Sequence, residues 1–491
     1  MHLRSFQKSP SEKRLSYSRL EPRHLLAAVG TGMGQVEQVL NSSTNTLNIF
    51  GTDNDDVLRI ELDPLAGEVR TDDGICQEVF PIEEVERIFI FAEAGDDVVE
   101  LSGAWSDETS LEFEFLGGLG DDEFTATLAG TDSLTTSSIS LAAHGEDGND
   151  RLEVIDESVP FSFLGTTFFT GGAGNDLLIG GAGEDTLNGG SGNDELFGNN
   201  GEDTLFGSAG DDRLNGGASD DLLVGHDGDD VLIGGASSST DVPGAETLGG
   251  NDVIFGGEGE DTIFAGDQDD EVFGGLGEDE IFGGDGNDLI LGGEGDDMIL
   301  GQAGNDNLIG QENNDLIFGG QGNDTILGGQ GNDDLRGQEG FDRLFGIDGQ
   351  NSINGGADND LLVGGIGRDF NFGGDGDDLI FGFQGTDVLS GGDGDDTLIG
   401  GLADDLLIGG LGDDILFGNE GNDHLFDGDN REQGGNDFFD GGIGTDFIDS
   451  ISPFGSNEVD QVRGGQGVDD LRTDLIDNLL DFDPSIDSNI T

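Results

Sequence analysis

The chain has 491 residues, of which 106 are acidic and 17 basic, for a formal net charge of -89. A compact state with that charge repels itself unless cations neutralise it, and a nucleic-acid partner is excluded because phosphate contacts need Lys and Arg gathered on one face. With 93 glycines beside one Trp and one Tyr, the composition also argues against a single large globular core and for an elongated repeat architecture.

Both lysines, Lys8 and Lys13, lie close to the start of the chain, together with Arg4, Arg14, Arg19 and Arg23. That asymmetry marks residues 1–34 as a targeting or processing segment. Its apolar stretch, 25–29, is short for a secretory hydrophobic region. The segment Leu20-Glu21-Pro22-Arg23-His24-Leu25-Leu26-Ala27 resembles an element at the start of many planctomycete extracellular proteins, and the resemblance implies export. No run approaches 18 apolar residues, so no membrane span is expected. The single Cys76 rules out an intramolecular disulfide framework and reads as a small buried residue.

Residues 35–170 carry longer strand-like stretches, such as 85–91 and 110–116, between isolated and widely separated units GTDNDDVLR, GGLGDDEFT and GEDGNDRLE. They read as wider coils that cap a solenoid, with Asp56, Asp97, Asp122 and Asp150 as less regular metal ligands. A cap is needed because an open strand ladder is an aggregation edge. The region contains no HExxH and no G-x-S-x-G, and the five histidines (His2, His24, His144, His226, His424) have no ligand spacing. The chain is therefore not expected to be an enzyme. The competing reading is a secreted hydrolase or polysaccharide-modifying enzyme whose active site lies in this region.

From Gly171 the period is nine: GGAGNDLLI, GGAGEDTLN, GGSGNDELF and onward to GHDGDDVLI, seven units ending at residue 233. A stretch at 234–246 interrupts the count and reads as a loop insertion. The register restarts for a second block at 247–426, holds for twenty units from Asp252 to Asp423 with Asn351 as the one departure from aspartate in the sixth place, and degenerates over 427–472, where GGQGVDDLR adds a last unit.

Such spacing suits a tight coil. Glycines in the first, second and fourth places permit positive φ and close backbone approach, the sixth-place carboxylate supplies the hard oxygen that Ca²⁺ prefers, and the next three residues form a short strand with the eighth pointing inward. One nonapeptide turns the chain halfway round, so every second unit stacks at about 4.8 Å, the spacing of neighbouring strands. Asp176 then aligns with Asp194, and Asp185 with Asp203, in two rows along opposite edges. The expected Ca²⁺ ligands are Asp176, Asp185, Asp194, Asp203, Asp212, Asp221 and Asp230 in the first block. In the second they are Asp252, Asp261, Asp270, Asp279, Asp288, Asp297, Asp306, Asp315, Asp324, Asp333, Asp342, Asp360, Asp369, Asp378, Asp387, Asp396, Asp405, Asp414 and Asp423, with Asp437 and Asp446 beyond it.

These units resemble the GGxGxDxUx repeat of the RTX, or haemolysin-type calcium-binding, family. The resemblance implies an all-β fold, a parallel β-roll or β-solenoid with two repeats per coil, that binds multiple Ca²⁺ ions, folds outside the cell and often leaves by type I secretion. The expected function is an extracellular calcium-binding protein with a structural or adhesive role.

The ninth place is unexpectedly apolar, with Phe255, Phe264, Phe273 and Phe282 in consecutive units and Phe318, Phe345, Phe372, Phe381, Phe417 and Phe426 further on. Alternation points these rings outward. They read either as a ladder stacked between coils or as a stripe for a partner, such as surface or matrix glycans or a second copy of the chain. Asn371 sits where Leu or Ile is expected. The tail, 473–491, spaces apolar residues at helix-like intervals and reads as a cap or an export signal.

Overall fold

The computed structural model describes residues 25–26, 37–41, 44–52, 54–63, 68–73, 77–81, 85–105, 111–130, 139–156, 166–235, 250–428, 435–450, 459–473 and 478–480. The expectations for Cys76, for the basic stretch before residue 25 and for the chain beyond residue 480 lie outside these. The described regular elements are all strands, and none is a helix long and apolar enough to cross a membrane. The chain divides into two compact units, residues 1–172 and 173–491.

In the second unit the elementary strand runs from the seventh place of one nonapeptide through the third place of the next, as in Leu289–Glu294. The sequence suggested strands of three; most are of six, because the backbone stays extended past the first glycine. Alternation then sorts the faces: Ile290 and Gly292 are buried while Leu289, Leu291 and Gly293 are only partly covered and Glu294 is exposed. Leu289–Glu294 pairs in parallel with Glu271–Leu276 and Asn307–Glu312, setting Ile290 beside Val272 and Leu308. The next strand in sequence, Met298–Ala303, belongs to the opposite sheet, where it pairs with Glu280–Asp285 and Leu316–Gln321. Two nonapeptides therefore make one coil, and the doubled repeat becomes the register of two parallel sheets.

Between the sheets lies one inward side chain per strand. Leu196, Leu205, Ile290, Ile299, Leu398 and Leu407 are all fully buried, each worth about 1.5–3 kcal/mol of burial. The glycines serve two different needs. In the unit 189–197, Gly190 and Gly192 adopt φ of 117° and 124°, which favours glycine. Gly189 does not adopt positive φ; a β-carbon there would collide with the Asp194 carboxylate. Of the two needs the sequence suggested, the first-place glycine thus answers close approach and not positive φ.

The first unit has the same two-sheet plan with longer strands. Thr46–Phe50, Arg87–Ala94, Leu111–Leu119 and Ile139–Asp147 stack in parallel in one sheet, and Val57–Asp63, Val98–Trp105, Glu123–Gly130 and Arg151–Asp156 in the other. Longer strands bury more: Leu58, Ile60 and Leu62 all point inward from one strand, and Phe113 and Phe115 stack on Phe124 at 5.1 and 5.8 Å. The first coil differs from the sequence expectation. It is much longer than the coils that follow, because Val57–Asp63, Glu68–Asp72 and Gln77–Pro81 form an antiparallel excursion before the chain returns to Arg87. A short antiparallel pairing of Leu25–Leu26 with Glu37–Asn41 adds to this end. In the tail, Asn478–Leu479 pairs in parallel with Gln461 and Val462, so this part continues the ladder despite its helix-like spacing.

Asn371 occupies an inward place between Ile353 and Leu389 and is fully buried. Its Nδ2 donates to the Phe381 carbonyl at 3.2 Å, while its Oδ1 has no hydrogen-bond partner. An unmet buried acceptor costs about 1–3 kcal/mol. Asn371→Leu is expected to raise the thermal unfolding midpoint in calcium; an unchanged or lower midpoint would show that the amide is better accommodated than its bonding indicates.

Candidate metal centre

The sixth-place aspartates form two continuous rows. From Asp194 and Asp203 onward each uses Oδ1 to accept the backbone N–H of the residue one coil before: Asp176 N donates to Asp194 Oδ1 at 2.7 Å, Asp194 N to Asp212 at 2.8 Å and Asp212 N to Asp230 at 2.8 Å. The second row begins with Asp185, Asp203 and Asp221 in the same manner. Insertions leave both rows intact. The step lengthens to 31 residues from Asp221 to Asp252 and from Asp230 to Asp261, then to 23 from Asp414 to Asp437 and from Asp423 to Asp446.

Every sixth-place aspartate singled out from the sequence, from Asp176 to Asp446, is buried and lies in these two rows. The rows also take in two aspartates that were not among the expected ligands. Asp460 and Asp469 accept from Asp437 N and Asp446 N at 3.0 and 3.1 Å. Asp469 is the sixth residue of GGQGVDDLR, whereas Asp460 sits in GSNEVDQVR, which keeps the period but lacks the second and fourth glycines. In the first unit Asp56, Asp97, Asp122 and Asp150 make the same ladder.

A second ladder, on the fifth place, was not anticipated. It faces solvent and runs in the opposite sense: Asn287 N donates to Asp269 Oδ1, Asn305 N to Asn287 Oδ1 and Asn323 N to Asn305 Oδ1, at 2.8 to 3.0 Å. Repeated Asn-Asp, Asp-Asp and Glu-Asp pairs were its signal in the sequence.

With Oδ1 committed, the other carboxylate oxygen decides the chemistry. Oδ2 of Asp194, Asp203, Asp270, Asp288 and Asp306, among many others, is buried with no hydrogen-bond partner. It faces the first-place glycine of its own unit and the first-place carbonyl of the next coil. A β-carbon on Gly283, for example, would lie 2.5 Å from Asp288 Oδ2 and 2.8 Å from Gly301 O. Two acceptor oxygens thus converge on one small space with no proton between them, repeatedly along each row. Oxygen-only donor sets combining carboxylates and main-chain carbonyls suit Ca²⁺. Among the described residues no group of three or more His, Cys, Asp or Glu side chains gathers around a common point, so an ion here has to draw on main-chain carbonyls as well.

Burial dominates the electrostatics. Loss of water raises the carboxyl pKa values, the accepted N–H bond opposes this, and neighbouring aspartates push further up: Asp288 to about 6, Asp194 and Asp306 to about 7, Asp270 to about 8. The metal-free rows therefore resist carrying full negative charge at neutral pH.

These features define a calcium-binding parallel β-roll. The family model of the RTX calcium-binding nonapeptide repeat matches at 170–240, 246–370, 372–425 and 433–450, more than half of the chain, and the chain belongs to that family. No curated protein matches it.

A carboxyl whose pKa is raised on folding stabilises the fold while protonated. The contribution is complete below the unfolded value near 3.8 and is lost as pH rises through about 6 to 8. In calcium-free solution the strand signal in circular dichroism is therefore expected to grow as pH falls from 8 towards 4.5. A metal-free chain equally unfolded throughout that range would contradict it.

Proposed function

We propose that the protein is an extracellular, calcium-dependent β-roll that folds as it binds Ca²⁺ and acts as a structural or adhesive element without catalysis. The observation that carries this reading is the pair of buried rows in which carboxylate oxygen and glycine carbonyl face each other with no donor between them. Calcium would supply the positive charge there, held by the sixth-place aspartates named above with Asp460 and Asp469, and by main-chain oxygens. The aspartates' own part is to clamp successive coils through Oδ1 and to present Oδ2; the first-place glycines keep the space open.

The energetics favour coupling of folding to binding. Ordering a backbone residue costs about 1–2 kcal/mol, towards the higher end for glycine, and each nonapeptide buries only one large inward side chain. Free Ca²⁺ at ten times a site's dissociation constant adds about 1.4 kcal/mol per site, which accumulates along the rows. Millimolar extracellular calcium suits weak sites of this kind, and cytosolic calcium would leave them empty.

An adhesive role draws on the ninth-place aromatics. Phe255 stacks on Phe273 at 4.7 Å and Phe264 on Phe282 at 4.9 Å, within 7° of parallel, yet Phe255 and Phe264 stay 38% and 39% exposed. The stacks brace the coils and leave ring edges exposed to glycans or to a second copy.

Purified protein in excess chelator at pH 7.5 is expected to lose most of its strand signal and to expand on size exclusion, and both changes should reverse with millimolar Ca²⁺ but not Mg²⁺. A chain equally compact with and without calcium would refute the proposal.

A further inference from the structure

One rung of the ladder is built differently. Asn351 stands in the sixth place of the unit 346–354 and keeps both backbone bonds of its row: its Oδ1 accepts Asp333 N at 3.0 Å and its N donates to Asp369 Oδ1 at 2.8 Å. The accepted N–H fixes which end of the amide is oxygen. Nδ2 therefore occupies the position that Oδ2 holds elsewhere, and it donates to the Gly364 carbonyl at 3.5 Å. Gly364 O is the first-place carbonyl of the next coil, the counterpart of Gly301 O beside Asp288. Asn351 and Gly364 O also flank the same space in front of Gly346, and Asn351 is fully buried.

Where two oxygens elsewhere need a cation or an added proton between them, here a neutral amide brings its own protons to the carbonyl. Placing Ca²⁺ beside Nδ2 would set a cation against an N–H donor. From this juxtaposition we propose that the Asn351 rung is closed without metal: the amide replaces the carboxylate and its ion together, so that one coil junction within the second block holds at calcium concentrations that empty its neighbours. This rests on the proposed calcium binding at the aspartate rungs, and the experiment separates the two.

The test counts ions. Native mass spectrometry of the full-length chain, saturated with Ca²⁺, is compared for wild type, Asn351→Asp and Asp342→Asn. Asn351→Asp is expected to carry one more calcium, and Asp342→Asn, which converts a rung of the other row into an amide, one fewer while staying folded by circular dichroism. A calcium-loaded wild type whose Asn351→Asp variant gains no ion, or cannot fold at saturating calcium, overturns the metal-free rung alone; so does an Asp342→Asn variant that keeps its ion count or fails to fold. A wild type that takes up no calcium removes the aspartate sites themselves and this inference with them.

Discussion

The structure depends on how one carboxylate is divided. From Asp194 and Asp203 onward, Oδ1 of each sixth-place aspartate is used by the backbone of the preceding coil, and for most of them Oδ2 is left in a dry place facing a carbonyl. The first half of that division supplies cohesion, since in the second unit successive coils are tied at both edges in addition to the sheet hydrogen bonds. The second half creates an electrostatic deficit that grows with the number of coils. A chain with 17 basic residues against 106 acidic ones cannot cancel it from its own side chains. An external cation, or protons, must do so.

The same constraint explains the unusual composition. A side chain on the first-place glycine would fill the space in front of Oδ2, so that glycine is fixed by room, while Gly190 and Gly192 are fixed by backbone angle. Only the eighth place is free to carry a large buried residue, which makes the core a thin double row of Leu and Ile. The first unit relaxes the pattern. Longer strands bury two or three side chains each, aromatic packing thickens the core, and the aspartate ladder there is short. Dependence on the ladder is accordingly concentrated in the second unit.

Much of this was legible before any coordinates. The period of nine gave the coil, the stacking of alternate units and the two aspartate rows, because a tight loop tolerates so few residue types that its identities recur visibly. Legibility failed where the local code was absent. Asp460 lacks the second and fourth glycines, the excursion strands Glu68–Asp72 and Gln77–Pro81 carry no repeat, and Asn478–Leu479 sits in a helix-like pattern yet pairs as a strand because the ladder beneath it offers an edge. Asn371 could be recognised as anomalous in the sequence, but its bond to Phe381 O in the opposite sheet could not.

The sequence by itself determined the repeat, the inward row, the acidic character and the oxygen chemistry of the loops, since each follows from residue type and spacing. The tertiary structure decided which carboxylate oxygen is consumed and which is left bare, how the register survives steps of 23 and 31 residues, and that Asn351 turns an amide towards Gly364 O. These depend on contacts between residues one coil apart, where the partner is set by stacking and not by the neighbouring sequence.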